Sequence, residues 1–377
     1  MTKKFLLIAS YSDSIMDFRG PFLRALLAEG LEVCVAAPDL PVNCNVRQKL
    51  EALGIQVHEF ALNRTGMNLI SDVITVYQLW RLMLLIKPYY SMGYTIKPVI
   101  YGSFAGWLAR VPKRFALITG LGYAFTDAAG SRARSLVRMI ACRLYQRALS
   151  KVETIFFQNP DDEQTFLQQG ITESSSSTRV INGSGINLCQ YAVASLPDKP
   201  IFLLIARLLG DKGVREYVKA ARLVKRKHPQ ARFELVGWVD ENPDAIDQAE
   251  LDDWVNEGVI DFKGKLSDVQ SAITGCSVYV LPSYREGTPR TVLEAMSMGR
   301  PIITTRAPGC RETVVDGYNG FLVSVKAVDE LVSAMLKFIE QPELVVSMGS
   351  CSRKLAEEKY DVHKVNDVML REMGIKL

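Results

Sequence analysis

Short apolar runs rich in β-formers alternate along this chain with helix-forming segments that close on glycine or proline, and the alternation starts afresh at Ile201. A run of about five apolar residues is strand length, and strands separated by helices pair in parallel through right-handed crossovers. Residues 5–9, a helix over 21–28 closed by Gly30, and residues 32–36 make the first such unit. Residues 47–53 and 55–60 repeat the helix-to-strand step. Weaker strand-like segments fall at 98–101, 115–119 and 154–157. The second half reads more cleanly: strands at 201–206, 231–236, 260–262, 277–281, 301–304 and 321–323, with helices at 214–227, 246–256, 269–274 and 291–298. From Leu331 onward the tail is helical and charged. At 377 residues the chain exceeds a prior of roughly 150 residues per domain. The expected class is α/β, with two doubly wound, Rossmann-like domains facing a cleft. Their expected bounds are 1–190 and 191–360, with a helix over 361–377 packing back on the first.

Several classes are disfavoured by composition. Seven cysteines stand singly with no C-x-x-C pair, which argues against a disulfide framework and for a reducing cytosol. Three histidines lie far apart in sequence, so a His/Cys zinc site is not expected. Lys3 and Lys4 precede only five apolar residues, which read as a first strand rather than the core of a signal peptide. The tract 67–86 is mostly apolar but carries Asn68, Asp72, Gln78 and Arg81, so a buried helix is expected there, not a membrane span.

Charge is distributed unevenly. Between Arg81 and Lys151 twelve basic residues face one acidic residue, Asp127. Arg134 with Arg138, and Arg143 with Arg147, fall at helical spacing among apolar residues. A basic amphipathic helix around Arg132–Arg147 fits an anionic membrane surface; a solvated face or an anion-binding patch is the alternative. No nucleic-acid motif accompanies the charge.

Chemistry concentrates at Pro282–Gly299. Glu286 is expected in the loop after a strand and Glu294 in the first turns of the following helix. A helix N-terminus offers unpaired N–H groups to an anion, and Gly287 lets a ligand approach the backbone closely. Carboxylates accept hydrogen bonds from hydroxyls, so two of them beside an anion site suit a polyhydroxylated, phosphorylated ligand such as a sugar nucleotide. Arg207-Leu-Leu-Gly-Asp-Lys-Gly213 follows the first strand of the second half. Arg207 and Lys212 there can neutralise a diphosphate, although such residues in a loop are more often surface charges. The absence of any Asp-x-Asp motif points to metal-independent chemistry, and no cofactor is expected. In the first half, Asp17-Phe-Arg-Gly-Pro21 is expected to be a strand-to-helix loop, with Arg19 and Gly20 as candidate acceptor-side contacts. Gly120 and Gly122 follow another strand; a lone G-x-G usually marks a tight turn, and no G-x-G-x-x-G fingerprint supports a dinucleotide enzyme.

Glu286-x7-Glu294, Arg207 with Lys212, and the Gly183-Ser-Gly-Ile-Asn187 run resemble the retaining GT-B glycosyltransferases of family four. Within it, 205–213, 235–243, 281–287 and 115–125 look like bacterial enzymes that add N-acetylgalactosamine or a related hexose to undecaprenyl-diphosphate sugars in O-antigen, lipopolysaccharide or N-glycan precursor assembly. The resemblance implies that Glu286, Arg207 and Lys212 carry catalysis, with Arg207 and Lys212 on the diphosphate and Glu286 on the donor sugar. It implies that Glu294 holds the ribose, Gly287 and Thr288 offer backbone N–H groups, Lys265 lies near the base, and Gly237 belongs to the donor side. Many relatives have a Gly-Gly pair in the first loop and an N-terminal histidine; this chain has Phe18-Arg-Gly20 and Thr119-Gly-Leu-Gly122. The implied partners are a UDP-sugar, a lipid-diphosphate-linked saccharide and the inner face of the cytoplasmic membrane. A UDP-sugar epimerase and a non-catalytic sugar-nucleotide binder are the alternatives.

Overall fold

The computed structural model of the protein describes residues 2–63, 68–121, 132–240, 242 and 244–376. The chain forms two compact units, residues 1–184 with 363–377, and residues 185–362. The first unit runs β1 (Lys4–Ile8), α1 (Asp13–Ala28), β2 (Glu32–Ala37), α2 (Asn45–Glu51), β3 (Gln56–Glu59), α3 (Leu69–Ile86), β4 (Tyr90–Tyr94), α4 (Ile96–Leu108), β5 (Lys113–Ile118), α5 (Arg132–Leu149), β6 (Thr154–Phe157), α6 (Pro160–Gln168) and β7 (Thr178–Val180). The second runs β8 (Ile201–Ile205), α7 (Val214–Lys227), β9 (Arg232–Val236), α8 (Gln248–Asn256), β10 (Asp261–Phe262), α9 (Gln270–Gly275), β11 (Val278–Leu281), α10 (Arg290–Ser297), β12 (Ile302–Thr305), β13 (Gly320–Val323), α11 (Val328–Glu340) and α12 (Glu343–Leu355). The last helix, α13 (Val362–Glu372), sends Met369 and Leu370 into the core of the first unit.

Both sheets are parallel, ordered β3-β2-β1-β4-β5-β6-β7 and β10-β9-β8-β11-β12-β13. Parallel strands covered on both faces bury every side chain, hence the unbroken apolar runs. Phe5 and Leu7 of β1 face one core with α1, while Leu6 and Ile8 face the other with α3 and α4. In the second unit Phe202 and Leu204 pack with α7, and Leu203 and Ile205 with α10. Strand order reverses between β1 and β4, and again between β8 and β11. In such sheets a crevice opens beyond the carboxyl ends at the reversal, and there ligands bind.

Three expectations are corrected. Residues 17–21 are not a loop: Arg19, Gly20 and Pro21 lie inside α1. Ile15, Arg19, Phe22, Leu23 and Leu26 form one buried stripe, and that burial outweighs the single N–H that Pro21 withholds. Residues 98–101 belong to α4, not to a strand; the strand is β4, whose Gly93 lets α4 start so close that a Cβ would overlap the Pro98 carbonyl. The tract 67–86 yields α3, but that helix is buried on one side only, with Ile70, Val73 and Leu85 exposed on the other. Among the described residues, no helix is long and apolar enough to cross a membrane.

Candidate active site

Three loops at the carboxyl edge of the second sheet are pressed together. After β8 the chain makes a 3-10 turn, Gly210–Lys212, and enters α7 through Gly213, at φ 70°. A Cβ on Gly213 would overlap the Pro282 carbonyl in the loop after β11. That same loop donates to the Asp211 carbonyl from the Tyr284 N–H at 2.8 Å and the Ser283 hydroxyl at 3.2 Å. From the loop after β12, the Pro308 carbonyl accepts the Glu286 N–H at 3.0 Å, and Gly309, at φ 80°, leaves no room for a side chain against the Glu286 backbone. Glu286 is thus held by backbone on two sides.

Its carboxylate receives the Lys212 ammonium at 2.6 Å, and both side chains are largely buried. Burial pushes Lys212 toward the neutral form, but the Glu286 charge and hydrogen bond, aided by Asp211, prevail and raise its pKa above the ordinary lysine value. Lys212 therefore remains a cation. Asp211 shows the opposite balance: burial raises its carboxyl above the usual range despite Lys212, and its Oδ1 is buried without a hydrogen bond. A raised carboxyl pKa means that folding favours the protonated form. The associated penalty is absent below the ordinary carboxylate range and is fully present above the raised value. Asp211→Asn should therefore unfold at higher denaturant than the wild type at pH 7, with the gap closing as pH falls below the ordinary aspartate range.

Glu294 lies one turn inside α10, only 4% exposed, and receives the Arg290 guanidinium at 2.8 Å. The Tyr191 hydroxyl bonds to both; burial first, then the Glu294 charge, pushes its pKa well up. Burial works against the Arg290 charge, yet Glu294 raises its pKa overall. Sequence reasoning missed Arg290. A cation in the first turn opposes the helix dipole, so Arg290 beside its i+4 partner Glu294 was the available signal. Tyr279 fastens this turn to β8, donating to the Ile205 carbonyl at 3.2 Å and bonding the Thr291 hydroxyl at 2.6 Å. Gly287 and Thr288 lead into Pro289, the N-cap of α10.

Arg207 is less deeply set. It is half exposed and bonds Asp240 at 3.2 Å, although its charge still acts on Lys212 and Asp211. Lys265 sits over the Trp238 ring at 4.9 Å, beyond β9 and β10. Gly237 precedes that tryptophan; a Cβ there would overlap the Ala206 carbonyl, and its N–H bonds the Gly264 carbonyl at 3.0 Å. Lys212 and Glu286 therefore form one pair, Arg290 and Glu294 a second, while Arg207 and Lys265 occupy more open loops.

In the first unit, Arg19 is buried in α1 with its guanidinium 5.3 Å from the centre of the Tyr94 ring, at the carboxyl end of β4. Next to Tyr94, Thr95 has φ 68° and ψ 165°, a conformation that non-glycine residues seldom adopt, and its hydroxyl bonds Ser10 at 2.7 Å. Ser10 and Thr95 mark the reversal point of that sheet and carry no sequence signal. Gly20 lies in α1 and Gly120 follows β5 with φ 132°; Gly122 lies outside the described residues.

The profile of the family described as "Glycosyl transferases group 1" matches residues 192–355. The N,N'-diacetylbacillosaminyl-diphospho-undecaprenol alpha-1,3-N-acetylgalactosaminyltransferase of Campylobacter jejuni is 30% identical, over 89% of this chain and 89% of its own. The UDP-Gal:alpha-D-GlcNAc-diphosphoundecaprenol alpha-1,3-galactosyltransferase of Escherichia coli is 23% identical over 80% of each chain. Among solved structures, Anabaena HepE in complex with UDP superposes with a TM-score of 0.76 at 19% identity, covering 98% of this chain and 99% of that one. Sucrose-phosphate synthase from Thermosynechococcus elongatus gives a TM-score of 0.80 at 19% identity, over 98% of both chains. Two parallel α/β units of this kind define the GT-B class. The chain belongs to the group 1 glycosyltransferases.

Proposed function

We propose that this glycosyltransferase moves a hexose, with N-acetylgalactosamine the first choice, from a UDP-sugar to a hydroxyl of a lipid-diphosphate-linked saccharide, with retention at the anomeric carbon. The observation that carries the reading is the pair of buried ion pairs, Lys212–Glu286 and Arg290–Glu294, at the reversal point of the second sheet. Both place a carboxylate for sugar hydroxyls beside a cation for phosphate. The acceptor class follows from the C. jejuni and E. coli relatives, whose names specify diphospho-undecaprenol saccharides and α-1,3 products. UDP-sugars of these hexoses are ordinarily α-linked, so an α product corresponds to retention.

In this mechanism Lys212, with Arg207, stabilises the negative charge that develops on departing UDP, and the N-terminus of α10 adds its N–H groups through Gly287 and Thr288. Glu294 accepts from the ribose hydroxyls, Glu286 from the donor sugar, and Lys265 with Gly237 flanks the base. Donor binding draws Lys212 toward phosphate and frees Glu286 to accept from a hydroxyl, so the pair exchanges partners rather than losing them. With charge compensated by side chains, transfer requires correct placement of the acceptor hydroxyl and no protein nucleophile. Arg19, Gly20, Gly120 and Gly122 are the acceptor-side candidates of the first unit.

The test is a screen of UDP-sugars with a short lipid-diphosphate-linked saccharide in excess chelator, read by product mass and anomeric NMR. Transfer of one hexose with an α linkage is expected. Conversion of the donor without acceptor would favour epimerisation; binding without turnover would favour a sensor; activity restored only by Mg²⁺ would remove the metal-free mechanism.

We place the enzyme on the cytoplasmic face of the membrane, in O-antigen, polysaccharide or glycan precursor assembly, docked through α5. Arg143 and Arg147 are exposed on that helix, one turn apart. Reversing both to Glu should lower partitioning onto vesicles with 30% anionic lipid by at least about thirtyfold at low salt, since two basic residues at ~1 kcal/mol each are lost and two repelling carboxylates are added. Unchanged partitioning would return α5 to an ordinary solvated face.

A further inference from the structure

We propose that the apolar cavity framed by α3, α4 and α5 holds the isoprenoid segment next to the diphosphate of the lipid acceptor; this rests on the acceptor class proposed above. On α3, Leu79, Met83 and Ile86 face the core, while Ile70, Val73, Ile74, Tyr77, Leu84 and Leu85 recur at helical spacing on the other side, 46–79% exposed. Arg81, also exposed, interrupts this face, but six large apolar side chains exposed on one side of a helix are more than a scattered leucine and suit an occupant. Trp107 and Leu108 extend the apolar surface from the end of α4.

The stripe leads into a cavity of about 420 Å³, within the ~300–1,000 Å³ typical of small-molecule sites. Val73, Tyr77 and Leu108 belong to both, and Val76, Trp80 and Phe104 continue the wall. Among the described residues, two charged side chains line it, Lys97 and Asp72, paired at 3.0 Å and mostly buried. The Tyr101 hydroxyl also bonds Asp72, and burial raises its pKa. An apolar space with one sequestered cation fits a branched hydrocarbon chain that ends in an anion. Lys97 is too enclosed to serve a plane of bilayer headgroups, but a diphosphate drawn into the cavity can take it from Asp72. Near the end of α4, Lys151 lies 5.3 Å from the centre of the half-exposed Trp107 ring, an aromatic and cation pair suited to the membrane interface from which the chain would enter.

Farnesyl diphosphate, inorganic diphosphate and phosphatidylcholine vesicles are the probes, with binding measured by calorimetry and vesicle co-sedimentation. Ala141→Trp and, separately, Val76→Phe add bulk from α5 and α3; wild-type melting and UDP affinity identify a folded variant. Farnesyl diphosphate affinity should fall at least about tenfold in both variants, since a few methylene groups lose their burial, while inorganic diphosphate affinity stays constant. Equal farnesyl diphosphate affinity in wild type and folded variants would overturn the assignment. So would parallel weakening of inorganic diphosphate, or a loss confined to vesicle binding, which would indicate a general bilayer surface. No donor enters this assay, so the cavity is judged separately from transfer. Cavity-dependent farnesyl diphosphate binding in a protein that fails to glycosylate any lipid-linked saccharide would retain the site and reject the transfer reading.

Discussion

Replacing Glu294 with Ala should lower kcat/KM for the UDP-sugar by about 10²-fold to 10³-fold, an effect carried mainly by the donor KM. The carboxylate is 4% exposed, so water cannot substitute for it as a hydroxyl acceptor. Its loss also takes from the buried Arg290 the carboxylate it meets at 2.8 Å and removes a partner from the Tyr191 hydroxyl. Taking a carboxylate away from a buried guanidinium is costly, so the alanine variant should also melt earlier. Glu294→Gln separates the two effects: an amide keeps shape and an acceptor oxygen, restores part of the stability, and still weakens donor use. Steady-state kinetics with varied donor, alongside thermal melting, check this. Donor kinetics near wild type in a folded Glu294→Ala protein would take Glu294 out of the site.

Arg300→Leu should destabilise the second unit by about 3–5 kcal/mol. Arg300 is fully buried and donates to four backbone carbonyls: Ile273 at 3.0 Å, Ala194 at 2.9 Å, Ser195 at 2.7 Å and Thr274 at 3.0 Å. These bonds tie residues 194–195, ahead of β8, to the end of α9. Burial lowers the pKa of Arg300, so the charge is held against a desolvation cost that the carbonyls offset. Leucine removes that cost but leaves carbonyls without partners, and each buried orphan costs about 1–3 kcal/mol. Denaturant unfolding should show an earlier transition for this unit, with UDP affinity at zero denaturant little changed. A midpoint equal to wild type would mean that water or a neighbour replaces the guanidinium.

Much of this was legible because parallel strands covered on both faces leave unbroken apolar runs. Residues 201–206 and 154–157 read as strands for that reason, and Val214–Lys227 as a helix from its single apolar stripe. The errors have equally specific causes. β4 was missed because Ser91 and Gly93 interrupt its apolar run, and Val99, Ile100 and Tyr101 look like strand residues although they bury one side of α4. Pro21 was read as a helix start because proline suits a first turn, but tertiary burial of Ile15 and Phe22 carries α1 back to Asp13. At the candidate site, placement at strand-to-helix junctions and the family resemblance marked Glu286, Glu294, Arg207 and Lys212. Which of them pair could not be read from spacing, because Lys212 and Glu286 meet across 74 residues of sequence. The exposed face of α3 was hidden for a related reason: apolar residues that spread beyond one stripe of a helix do not say which side lacks a neighbour.

The most direct test of the central claim is calorimetric titration of UDP and of uridine into wild type and Lys212→Met. If Lys212 leaves Glu286 to hold the donor diphosphate, the variant should bind UDP about 10- to 100-fold more weakly while its affinity for uridine, which lacks the diphosphate, changes little. Equal UDP affinity in the two proteins, or an equal loss for UDP and uridine, would contradict the assignment of the Lys212–Glu286 pair to the donor diphosphate.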